Sequence, residues 1–106
     1  MGQFTIAAYR PRPGKAEVLM QLVREHHPIL LREGLATGRT PYVMRAADGT
    51  LIEVFEWTSS GSSSEAHHHA AVQALWARFN EACDYVSLSA LTEGQAPFAS
   101  FVPVAL

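Results

Sequence analysis

The chain is nearly free of cysteine: Cys83 stands alone among 106 residues, so no internal disulfide and no thiolate cluster for a metal can form. Lying at the end of a helical apolar stripe, that thiol reads as a small buried hydrophobe rather than a nucleophile. Charge of one sign is also lacking. Eight Lys and Arg stand against ten Asp and Glu, a formal net charge of −2, and no basic run marks a nucleic-acid surface. No apolar stretch approaches the ~18 residues that a spanning helix needs. Neither a nucleic acid nor a membrane is therefore an expected partner. The first residues, MGQFTIAAYRPRPGK, show no charged start, apolar run and cleavage site of a secretory leader. Ile6 stands where myristoylation of Gly2 would want Ser or Thr. The expected location is cytoplasmic. No repeat and no linker divides the sequence, so residues 1–106 are read as one domain.

What is present is an apolar fraction of 48%, enough for a folded core. Residues 3–9 alternate, with Phe4, Ile6 and Ala8 on one side and Gln3, Thr5, Ala7 and Tyr9 on the other, which predicts a strand. Arg-Pro-Arg-Pro-Gly at 10–14 ends it. From Lys15 the period becomes helical: Leu19, Leu22, Val23, His26 and Leu30 form one stripe, Pro28 is expected to kink or break it, and Gly34 to stop it. Two β-rich runs, 42–47 and 50–57, flank Asp48-Gly49, a pair that predicts a hairpin with a type I′ turn. In the second run Ile52, Val54 and Glu56 face one way and Leu51, Glu53, Phe55 and Trp57 the other. Ser62 and Glu65 fit a capping box at the start of a second helix, whose stripe is Val72, Leu75, Trp76, Phe79, Ala82 and Cys83. A fourth strand is expected at 86–91, then a tail carrying Phe98, Phe101 and Val104. The order β-α-β-β-α-β is that of an α+β, ferredoxin-like fold: a four-stranded antiparallel sheet with two helices on one face. Helices cover only one side of strands that are apolar on both, so a second copy is expected against the other face, as a homodimer.

The sequence resembles the dimeric α+β-barrel superfamily, in particular its antibiotic biosynthesis monooxygenase domain. The resemblance rests on Pro13-Gly14-Lys15, Arg24-Glu25-His26-His27-Pro28, Glu33-Gly34-Leu35, Asp48-Gly49-Thr50, Glu53-Val54-Phe55-Glu56-Trp57, Ala66-His67 and Val72-Gln73-Ala74-Leu75-Trp76. It spans nearly the whole chain. Relatives often carry Ala-His-x-x-Pro at the second helix; here Ala70 takes the place of that proline. The resemblance implies a dimeric barrel with a pocket in each protomer. It also implies functions ranging over cofactor-independent oxygenation of aromatic polyketides, haem degradation and lactone isomerisation.

Five histidines lie in two clusters, His26-His27 and His67-His68-His69. Adjacent helical positions diverge by about 100°, and neither cluster contains the His-x-x-x-His spacing that suits a metal. No metal and no cofactor is therefore assigned. The candidate catalytic residues are His67, His26 and Glu53. His67 matches the Ala-His position and is expected at a helix N-terminus, where the dipole favours a neutral imidazole. His26, on the apolar stripe, reads either as a base or as a core-edge residue bonded to a backbone carbonyl. Glu53 either sits in an aromatic pocket or faces a dimer seam with Arg45. The candidate ligand-binding residues are Tyr9, Phe55, Trp57, Trp76 and Phe79, of which the tryptophans also suit a plain core role. These side chains suit a planar, apolar, phenol- or quinone-like compound undergoing proton transfer or cofactor-free oxygenation. The alternatives are a non-catalytic binding or stress-response module with no cavity beyond about 100 Å³, well below the usual range for ligand pockets, and haem binding through a histidine.

Overall fold

Alternation in the first segment produces β1, Gln3–Pro11, which runs two residues further than expected before its prolines end it. In the computed structural model, which describes residues 2–106, this strand lies inside a five-stranded sheet. The remaining elements are α1 (Ala16–Arg32), β2 (Tyr42–Arg45), β3 (Leu51–Trp57), α2 (Ser62–Ala66), α3 (Ala70–Ala82), β4 (Cys83–Val86) and β5 (Val102–Pro103). The strand order is β4-β1-β3-β2-β5, with every pairing antiparallel. The expectation of four strands and two helices thus gives way to five strands and three α-helices. The tail supplies the extra strand, on the outer edge of β2, where Met44 pairs with Pro103 and Arg45 with Val102.

α1 passes through Pro28 without a break. The carbonyl that proline leaves without a partner belongs to Arg24, which is exposed, so water can satisfy it. Gly34 stops the helix as expected. It takes φ +75°, while Leu35 N–H bonds back to the Leu30 carbonyl at 2.9 Å and Gly34 N–H to Leu31 at 3.0 Å. That is a Schellman closure, with Leu35 and Leu30 in one apolar cluster beneath it.

The hairpin forms at Asp48-Gly49, but not as a type I′ turn. Only Gly49 has positive φ, and Ala46 and Thr50 are joined by a backbone bond of 2.9 Å across a three-residue loop. The Asp48 carboxylate accepts from Thr50 N–H at 2.9 Å, stabilising the longer loop.

Ser62 and Glu65 do not make a capping box. Gly61 is the N-cap of α2, and the Ser62 hydroxyl turns back to Thr58 and Ser59. The single second helix expected is split at 67–69, and α3 starts afresh after His69.

β4 begins at Cys83, three residues earlier than expected. Residues 88–90 curl into a 3₁₀ turn because Ser87 accepts a bond from Ser89 N–H. A second 3₁₀ turn follows at 93–95.

The alternation of β1 and β3 sorts the interior. On one sheet face, Tyr9, Val43 and Leu51 pack with Leu19, Leu22 and Val23 of α1 and Leu75 and Phe79 of α3. Towards the other end of that face, Phe55 and Trp57 pack with Leu30, Leu35, Ala66 and Val72. On the reverse face, Ala8 and Ile52 are covered by Leu91 of the chain's own tail, with Leu88 and Phe101 packed alongside. Phe4, Ile6 and Tyr42 share that reverse face and remain 58%, 53% and 73% exposed. No helix among the described residues is long and apolar enough to cross a membrane.

Candidate functional site

Between the sheet and α3 lies a cavity of about 520 Å³ with a mainly apolar wall. β1 and β3 present Tyr9, Phe55 and Trp57 to it because those positions share the helix-facing side of the pleat. α3 contributes Trp76 and Phe79, and α1 contributes His26. Of the residues singled out from sequence, all except Glu53 line this space, His67 at its mouth. Six lining residues were missed: Thr5, Ala7, Gln73, Ala77, Asn80 and Tyr85. A signal existed for several of them. Thr5 and Ala7 share a strand face with Tyr9, while Gln73, Ala77 and Asn80 surround Trp76 at helical spacing.

Beneath the cavity floor lies a buried polar chain. Glu53 is 0% exposed and uses one oxygen, Oε1, for both its partners. Tyr9 O–H donates to it at 2.8 Å, and His26 Nδ1 lies 2.8 Å away. On the other side of the same imidazole, the Trp76 indole N–H donates to Nε2 at 3.0 Å. An indole nitrogen can only donate, so Nε2 must carry a lone pair. The ring proton therefore sits on Nδ1, which donates a hydrogen bond to Glu53 Oε1. The imidazole is neutral, and its tautomer is fixed by its two neighbours. The partner of His26 is thus a carboxylate rather than a backbone carbonyl. Glu53 faces the helices, and Arg45 takes no part in its bonding.

Burial of the phenolate is the largest reason that Tyr9 is held well above its ordinary pKa of 10.0, and the charge of Glu53 adds to it. The second Glu53 oxygen, Oε2, is buried with no hydrogen-bond partner. Aromatic rings enclose the imidazole, with the Phe55 centroid at 5.4 Å and that of Phe79 at 5.3 Å, both edge-on. Trp57 meets Phe55 at 4.9 Å and donates its indole N–H to Thr5 Oγ1 at 2.8 Å.

The other histidines separate by role. His67 is exposed, with its ring edge-on to Trp76 at 5.3 Å. It caps the C-terminal end of α2, so the N-terminal dipole expected to act on it is not at this position. His69, the N-cap of α3, places Nδ1 3.0 Å from Glu33 of the α1 C-cap. The hydrogen bond to Glu33 is the largest cause that raises the His69 pKa above its ordinary 6.5, with burial opposing it. His27 Nε2 lies 2.8 Å from the Thr37 carbonyl.

Cys83 donates to the Phe79 carbonyl at 3.2 Å, and burial, with help from Asp84, pushes its thiol up to about 11. It is a poor nucleophile. Among the described residues no three His, Cys, Asp or Glu side chains gather as a metal would require. Comparison with family models, curated proteins and solved structures finds no match.

Proposed function

We propose that this chain is a ferredoxin-like protein of dimeric α+β-barrel type that binds a planar, largely apolar aromatic or quinone-like compound between sheet and helices. The observation that carries the reading is the cavity itself. Its volume of about 520 Å³ falls within the ~300–1,000 Å³ usual for small-molecule sites, and it is aromatic-walled with one buried imidazole on its lining. The resemblance to the monooxygenase domain points the same way.

The chemistry that suits the site is proton transfer initiating cofactor-free oxygenation. His26 Nε2 takes a proton from the bound compound. Glu53, already bonded to Nδ1, holds the ring in orientation and offsets the positive charge that the ring acquires. The resulting anion of the compound is then the reductant for dioxygen. His67, at the mouth, contacts the part of the ligand nearest solvent. Exposed Phe4, Ile6 and Tyr42 support pairing of two copies through the reverse sheet face.

Oxygen uptake and binding across a panel of naphthols and hydroxyanthraquinones test the reading. His26→Gln is expected to keep binding within a few-fold and to lose about 10²-fold or more in turnover. Failure of the native protein to bind any member of the panel overturns it. A second reading, a non-catalytic carrier for the same compounds, is favoured by the indole that already occupies His26 Nε2. Tight binding without oxygen uptake decides for the carrier.

A further inference from the structure

Resting on that reading of the cavity, the polarity of its buried wall narrows what can enter. The donors on that wall are already committed. Tyr9 O–H and His26 Nδ1–H both point to Glu53 Oε1, Trp57 N–H to Thr5, and Trp76 N–H to His26 Nε2. The polar capacity on the buried lining is therefore lone pairs: those of the Tyr9 oxygen, and that of His26 Nε2 once the indole N–H leaves it. Gln73, Asn80 and His67, which also carry donors, lie at exposed positions on the rim, where water competes with any ligand. Thr5 is only half-buried.

We infer that His26 Nε2, at the inner end of the cavity, is an acceptor that selects compounds carrying a hydroxyl or N–H, and that the Trp76 indole N–H stands in for that donor until a ligand displaces it. A hydroxylated ring can replace the indole at Nε2. An ether or carbonyl in the same place would set two lone pairs against each other and leave Nε2 without a donor, if the indole has moved aside to admit it. Glu53 is the origin of this selectivity although it does not line the cavity. When the indole turns away from Nε2, the Glu53 carboxylate is the one neighbour still holding the ring proton on Nδ1. Trp76 is a specificity-determining residue, and its side chain must turn for the ligand to reach His26.

Calorimetric titration with 1-naphthol and with 1-methoxynaphthalene tests this, because methylation removes the donor and keeps the ring. 1-Naphthol is expected to bind about tenfold tighter. In Trp76→Phe the indole no longer competes, so the ratio between the two compounds is expected to widen. Equal binding of both compounds, or a ratio that narrows in Trp76→Phe, overturns the inference and leaves the cavity reading intact. Binding of neither compound removes the cavity reading, and this inference with it. Should the variant fail to fold, ¹⁵N spectra of the imidazole in the native protein still decide. A proton on Nδ1 of His26, with a naphthol-dependent shift at Nε2, is expected; a proton on Nε2 overturns the inference.

Discussion

Glu53 Oε1 accepts two bonds while Oε2 accepts none, so the Tyr9 hydroxyl supplies one of the two hydrogen bonds that a fully buried carboxylate receives. Tyr9→Phe is expected to cost about 1.5–3 kcal/mol, the range for a hydrogen bond to a charged group, read as a lower midpoint in urea. The same tyrosine gives a dependence on pH. Its folded pKa lies well above the ordinary 10.0, so above pH 10 the folded state retains a proton that the unfolded chain releases. Stability must therefore fall as pH rises beyond that value. Thermal melts in alkaline buffer check this, and Tyr9→Phe should flatten the decline. His26 and Glu53 were both legible as candidates, since an ionisable residue on an apolar stripe or strand face stands out. Their partnership was not. They lie 27 positions apart on different elements, and only the register of β3 under α1 brings them together.

The element boundaries that sequence reading placed best were those with a backbone reason close at hand, such as Gly34 closing α1. It failed where side chains chose among local partners. Ser62 turns to Thr58 and Ser59 instead of capping, and Ser87 bends the chain where a strand was expected. The break between α2 and α3 carries its own prediction. His69 reaches across to Glu33 at the end of α1, tying the start of α3 to the end of α1. Its raised pKa means that the tie contributes fully below pH 6.5 and is lost as pH climbs through the folded value. An imidazole titration followed by NMR should show a midpoint above the ordinary one, and Glu33→Gln should bring it down. Within α3, Phe79 is 1% exposed and packs with both Tyr9 and His26. Phe79→Ala is expected to cost about 3–5 kcal/mol, measured by chemical denaturation.

Over the whole molecule, the two-sided apolar character of β1 and β3 was readable from alternation, but its cover was not. The chain's own tail shields Ala8 and Ile52, a share of the surface that sequence reading had given to a second copy. Gly94 allows that arrangement, for a Cβ there would collide with the Leu88 carbonyl oxygen. Gly94→Ala should loosen the tail, and faster amide exchange at Ile52 would show it. The uncovered remainder around Phe4 and Ile6 is where the proposed dimer makes its prediction: sedimentation should give a pair for the native chain and single subunits for Ile6→Glu. With the tail in the way, two such sheets would overlap like offset roof tiles, not lie flush. Each cavity, on the far side of its own sheet from that seam, would then fill without sensing its neighbour, and ligand uptake should follow a simple hyperbola.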